Sequence, residues 1–223
     1  MISLAIDTGS AAISLGLQIE GEVYEDFEII SRSHSREILP RLQRLLESQG
    51  VTGEDIDLIA FGKGPGSFTG LRIGVGVVQG LAYGLGVPVA PVSTLAVMAQ
   101  GCYRTTGAEN IIVALTARED ELFYGTYQIV DGHAVLHGSE AVERAGALPP
   151  LPSAIWSGIG SGWVRRAEME ASLGFEAESV RTEVYPRAED LIQLAMMMHQ
   201  KGQLIDALEA RPEYLREQVA TPS

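Results

Sequence analysis

Apolar positions along the chain switch between two periods. Ile2 to Ile6 is a short buried-type run, and Ala12 to Ile19 and Val23 to Ile30 follow as strands. Glu20-Gly21 between the latter two suits a two-residue hairpin turn. From 35 to 48 the spacing becomes helical: Ile38, Leu42 and Leu45 recur with Leu39 and Leu46, Pro40 falls in the first turns, and Gly50 closes the segment. A strand at Ile56 to Phe61, a glycine cluster, a helix over 70–85, a strand at Pro88 to Val92 and a helix from Thr94 to Tyr103 come next. The pattern then restates itself in part. Strands are predicted at Ile111 to Leu115, Leu122 to Val130 and Ala134 to Leu136, the last two joined by Asp131-Gly132. After the proline-rich connector Leu148 to Pro152, Ala154 to Trp156 reads as a short strand entering Gly158-Ile-Gly-Ser-Gly162, with helices at 163–172 and 188–200. These elements predict a two-lobed α/β protein: a lobe over 1–105 and a smaller one over 106–223, with the last helix suited to pack back on the first lobe.

The helix at 70–85 is unusual, because Gly74, Gly76, Gly80 and Gly84 lie inside it. Each interior glycine costs about 1 kcal/mol relative to alanine. At about 100° per residue, Gly76, Gly80 and Gly84 line up beside Ile73 and Val77. Leu71, Val75, Val78, Ala82 and Leu85 fall on another face, and Arg72, Gln79 and Tyr83 form a polar edge. One apolar face belongs on the sheet. The other, a glycine ridge, lets a second helix approach closely, as small residues do between membrane helices.

The turn that feeds this helix reads Gly62-Lys-Gly64-Pro-Gly66-Ser67-Phe-Thr69-Gly70. Backbone N–H groups at such a helix start can face an anion, with Ser67 and Thr69 as candidate caps. The spacing fits neither a P-loop, where the lysine follows the last glycine, nor the dinucleotide fingerprint. A plain strand-to-helix corner without ligand fits the same residues.

Composition narrows the classes. The 223 residues are 46% apolar and 20% charged, enough for a real core. Twenty-nine acidic against 16 basic residues give a net charge of −13, which repels phosphate backbones. The single cysteine, Cys102, forbids an internal disulfide and fits a reducing cytoplasm. Met-Ile-Ser-Leu-Ala-Ile-Asp reads as a strand and not a signal peptide, and no apolar stretch reads as a membrane span.

Ala5-Ile-Asp7-Thr8-Gly-Ser10 is similar to the phosphate-binding hairpin of actin-like ATPases, whose aspartate sits near the nucleotide's metal. Gly64-Pro-Gly66-Ser67-Phe-Thr69-Gly-Leu-Arg72-Ile-Gly closely resembles the hallmark of the TsaB (YeaZ) family. His34 with Leu39-Pro40, Val92-Ser-Thr-Leu95, Gly158-x-Gly160-x-Gly-Trp163 and Tyr214-Leu-Arg216 add to the match, which spans almost the whole length. The resemblance implies a two-lobed actin-like (ASKHA, ribonuclease H-like) fold. It also implies a cytoplasmic, non-catalytic subunit for N6-threonylcarbamoyladenosine formation beside the tRNA anticodon. The implied partners are the catalytic paralogue TsaD, which transfers the group from the adenylate that TsaC supplies, and the ATPase TsaE. A homodimer is implied when the chain is alone, with tRNA reached only through partners. No cofactor of its own is implied; ATP or ADP would sit at the junction with TsaD.

That paralogue holds its metal through His-x-x-x-His on the helix after the fifth strand, where this chain has Thr94 and Met98. Neither replaces an imidazole on a hard metal centre. His133 and His137 lie in strand-like sequence roughly 13 Å apart, too far to share one ion. A Ser67/His34/Asp7 triad lacks a nucleophile elbow. Thr116 stands where the family usually has aspartate, though Arg118 and Glu121 remain. The leading expectation is a scaffold whose partner or dimer face comprises Arg36, Leu39, Arg41, Leu42, Leu45, Ile73, Gly76, Val77, Gly80 and Gly84, with no catalytic or metal-binding residue. A vestigial nucleotide site would use Asp7, Thr8, Ser10, Gly64, Gly66, Ser67, Thr69, Gly158 and Gly160. The alternative is an autonomous actin-like nucleotide hydrolase or kinase built on that same site. A peptidase reading finds neither metal ligands nor a nucleophile.

Overall fold

Strand β1 (Ile2–Asp7) lies at the centre of a five-stranded sheet, and every residue in it from Ser3 to Asp7 is buried. The computed structural model describes residues 1–30, 33–152 and 154–215. β1 pairs antiparallel with β2 (Ala12–Ile19) and parallel with β4 (Leu58–Gly64). With β3 (Glu22–Ile29) and β5 (Val89–Ser93) the order is β3-β2-β1-β4-β5. The β2–β3 turn is the expected hairpin: Glu20 and Gly21 take φ of 51° and 93°, the positive values that match strand twist.

Alternation along these strands decides what covers each face. Leu4, Ile6, Leu15, Leu17, Ile59 and Phe61 face α1 (His34–Ser48) and α2 (Phe68–Leu85), which bury Ile38, Leu42, Leu45, Val75, Val78 and Ala82 against them. Ala5, Leu58, Ala60, Ala90 and Val92 point the other way, onto Leu191, Ile192, Leu194 and Ala195 of α5 (Ala188–Gln200). Small residues on that side let α5 come close: a Cβ on Gly16 would stand 2.7 Å from the Ala188 Cβ.

Edge strand β3 ties both helices down. Asp26 and Glu28 bind the Arg41 guanidinium of α1. On the opposite face Glu25 receives the Ala188 N–H at 2.8 Å and binds Arg187, whose guanidinium lies 4.0 Å over the Phe27 ring. A carboxylate at a helix start satisfies a free N–H and opposes the dipole. Glu25→Ala should therefore lower stability by about 2 kcal/mol in urea unfolding; an unchanged midpoint would mean that apolar contacts alone hold α5.

The second sheet has the order β11-β10-β6-β7-β8, from β6 (Asn110–Thr116), β7 (Glu121–Val130), β8 (His133–Leu136), β10 (Ser157–Ile159) and β11 (Ser179–Arg181). β9 (Ala141–Arg144) pairs with the start of β7. The strand expected at Ala154 to Trp156 begins instead at Ser157, and the helix expected at 163–172 is a 3-10 turn, Ser161–Arg165, followed by α4 (Arg166–Leu173). β9 and β11 have no clear pattern in the sequence. The chain forms two compact units: Met1–Val97 with Pro186–Glu213, and Met98–Tyr185 with the residues from Tyr214 on. α3 (Thr94–Thr106) starts in the first. Arg216 of the Tyr214-Leu-Arg216 match lies outside the described residues. Among the described residues, no helix is long and apolar enough to cross a membrane.

Candidate functional site

The corner between β4 and α2 is filled by the chain's own backbone. Ser67 N–H donates to the Gly9 carbonyl at 2.7 Å, and the Thr8 hydroxyl donates to the Gly70 carbonyl at 2.8 Å. A Cβ on Gly66 would lie 2.2 Å from Gly9 O, one on Gly70 2.0 Å from Thr8 O, and one on Gly74 2.4 Å from Thr8 Oγ1. Gly64, at φ 113°, would meet Glu213 O and Leu71 at 3.0 Å. These glycines seat the turn after β1 on the head of α2. Of the two candidate caps, Ser67 takes the role, its Oγ accepting from Gly70 N–H at 3.3 Å, while Thr69 lies exposed within the first turn. Ser10 Oγ accepts from Ala12 N–H at 3.0 Å. Asp7 is buried, with Oδ1 accepting from Gly9 N–H at 3.0 Å and Oδ2 against the bare Gly62 backbone.

In the second unit Gly158 and Gly160 likewise serve packing. A Cβ on Gly158 would stand 2.3 Å from the Trp163 ring, and the indole N–H donates to Ile112 O at 3.1 Å. Gly160, at φ 102°, would place a Cβ 2.4 Å from Ala114 O. His133 opens β8 and His137 follows its last residue, its ring 6.5 Å from that of Trp156.

The outer face of α1 and α2 is different. The two helices pack side by side over the first sheet. α2 buries Leu71, Gly74, Val75, Val78 and Ala82. Across from them Gly76, Gly80 and Gly84 are exposed, and a Cβ on any of the three would meet nothing within 4 Å. Ile73 and Val77 are half-buried alongside. Leu39 of α1 is 54% exposed, Tyr83 71%, and Phe68 55%, with the Arg72 guanidinium 3.8 Å from its ring centre. Phe68 and Tyr83 were not singled out for this face by the sequence; two aromatics on a glycine-rich helix were the available signal.

Three residues expected on the face are turned inward. Leu42 and Leu45 are buried in the core, because their i+4 and i+7 spacing from Ile38 places them on the sheet. Arg41 is buried and bound to Asp26 and Glu28, so it is no rim charge. Arg36 and Arg44 remain exposed. Gln79 also departs from the polar edge. Its amide donates to Ala210 O at 2.8 Å, fastening a strap that bridges Ile205 to Val89, buries Ala207 and Ala210, and ends with Glu213 paired to Lys63.

The family of TsaD, tRNA N6-adenosine threonylcarbamoyltransferase, matches residues 27–154. An Escherichia coli (strain K12) protein is 38% identical over 97% of this chain and 95% of its own length. One from Haemophilus influenzae is 32% identical over 97% and 94%. Both are named tRNA threonylcarbamoyladenosine biosynthesis protein TsaB. The structure of YeaZ from Pseudomonas aeruginosa superposes with a TM-score of 0.91 at 41% identity, covering 96% of this chain and 99% of that one. Fold and site thus define a mixed α/β protein of two sheets with a TsaD-like domain. The chain belongs to the TsaB (YeaZ) family.

Proposed function

We propose that this chain acts in tRNA threonylcarbamoyladenosine biosynthesis as a non-catalytic subunit that docks a TsaD-type transferase through the outer face of α1 and α2. The observation that carries the reading is that face: Leu39, Phe68 and Tyr83 stand out around three bare glycines, while the glycines of the β4–α2 corner pack on Thr8 and Gly9. Exposed apolar surface flanked by polar residues is the mark of a docking site. Alone, a second copy takes the same face; a TsaE-type ATPase is a further partner. The chain holds no cofactor of its own, and ATP or ADP belongs to the junction with TsaD. Its setting is the cytoplasm.

The test is reconstitution of tRNA modification with purified TsaD, TsaC and TsaE. Asp7→Asn should leave modification near the wild-type level, and the isolated chain should not turn over ATP. If Asp7→Asn abolishes modification while the complex with TsaD still forms, the chain has a chemical role and the reading fails. Net charge sets a second expectation. At −13 the isolated chain releases few counterions on meeting RNA, so a gel shift at physiological salt should show no tight tRNA binding. A tight complex displaced only by high salt would contradict it.

A further inference from the structure

The strap that Gln79 fastens runs the length of α2. After α5 it crosses the β5 edge of the first sheet, where Ile205 and Val89 exchange two N–H to carbonyl bonds of 2.9 Å. It then passes along α2 in the opposite direction: Ala210 O accepts from the Gln79 amide, and Glu213 N–H reaches Lys63 O, just ahead of the head of α2. In the sheet order β3-β2-β1-β4-β5, α1 lies over β2 and β3, α2 over β1 and β4, and the strap at the β5 edge. The exposed glycines of α2 are thus a floor between two walls, one made by α1 and the other by the strap.

The second wall is stiff, and its outer residue is apolar. Ala207 and Ala210 are buried against the core; being small and three apart, they let the strap lie close and leave Leu208 turned outward, 68% exposed. The acids beside it, Asp206 and Glu209, are bonded to each other's backbone in a capping box, with Asp206 N–H donating to Glu209 Oε2 at 3.2 Å. Leu208 falls between the Val89–Ile205 bridge and the Gln79–Ala210 bond, level with the stretch of α2 that carries the exposed Tyr83. A lone exposed leucine is ordinary. One held rigidly beside an exposed tyrosine and a bare helix face extends an apolar patch.

We infer that the strap is a second wall of the docking face, and that a helix of the TsaD-type transferase lies along the glycines between Leu39 of α1 and Leu208 with Tyr83. This rests on the docking reading given above. The occupant follows from which part of the chain is shared. The TsaD match, residues 27–154, takes in α1 and α2 and ends before the strap. A TsaD-type partner therefore brings a like pair of helices to this face, and the strap is what this chain adds to the pairing. Without Cβ atoms on the floor the two backbones come close, and a leucine fixed before binding needs little further ordering.

Calorimetry of TsaD binding to the purified chain is the first test. Leu208→Glu should weaken binding by at least about tenfold, with an unchanged urea midpoint because the side chain is largely in solvent; Leu208→Met should bind like the wild type. If Leu39→Glu weakens binding and Leu208→Glu does not, the strap wall is wrong while the docking reading stands. If neither does, or the wild type itself does not bind, both fall. Thiol protection gives a readout that adds no charge, since the single native cysteine, Cys102, is buried. Saturating TsaD should slow alkylation of Leu208→Cys by at least about tenfold, as contacts that exclude water do. Alkylation of Gln200→Cys, at the end of α5 on the opposite side of the sheet, should not change. Equal slowing at both positions, no slowing in Leu208→Cys, or slowing by a second copy of the chain but not by TsaD would each overturn the inference.

Discussion

Gly70→Ala should destabilise the protein by roughly 3 kcal/mol or more, while Gly80→Ala, ten residues along the same helix, should stabilise it by up to about 1 kcal/mol. The difference is entirely one of surroundings. A methyl on Gly70 would lie 2.0 Å from the Thr8 carbonyl oxygen, a backbone atom that cannot turn aside. Either the helix head or the β1–β2 turn must move, breaking the Thr8–Gly70 and Ser67–Gly9 hydrogen bonds. A methyl on Gly80 meets nothing within 4 Å, so only the helix-propensity gain is left. Urea unfolding of both variants beside the wild type is a sufficient test. A neutral Gly70→Ala would show that the corner has slack.

The second large effect is on assembly and leaves the fold alone. Gly80→Leu adds a side chain to an open helix face, so unfolding should change little. Close approach of another helix becomes impossible, and the isolated chain should run as a monomer by light scattering. Leu39→Glu, on a leucine 54% exposed, should act in the same direction by placing a charge on the face. For residues that anchor an interface, losses of 2 kcal/mol or more are usual, so affinity for TsaD should fall by at least about thirtyfold, with modification falling alongside. An undisturbed dimer and unchanged TsaD binding in both variants would remove this face from the account.

Local rules explain what the sequence made legible. Helical spacing placed Leu71, Val75, Val78 and Ala82 inward and Gly76, Gly80 and Gly84 outward, because period alone settles a helix's faces. The Glu20-Gly21 and Asp131-Gly132 turns follow from backbone chemistry, and all four residues take positive φ. Long-range partners were not legible. Arg41 reads as a surface charge until Asp26 and Glu28 are brought to it across the hairpin. Gln79 reads as solvated until a strap from more than a hundred residues later reaches it. The packing of the glycine corner was not legible for a different reason. A glycine that admits a phosphate and one that admits a carbonyl are the same residue in sequence, and only Gly9 O and Thr8 O in place distinguish them. In the second unit, small residues at Ser157 and Gly158 hid where β10 begins, since Gly158 is dictated by the Trp163 ring lying over it.

The position of α5 in the chain bears on how the protein is made. The sheet face of Ala5, Leu58, Ala60, Ala90 and Val92 leaves the ribosome early, but the helix that covers it is encoded after residue 187. At ~5–20 residues per second, the intervening 98–185 segment takes on the order of ten seconds to synthesise. Until α5 is made, these residues lack their partner helix, and Glu25 lacks the helix end that it caps. A chain ending near residue 185 would lack α5 and leave this apolar face without its cover.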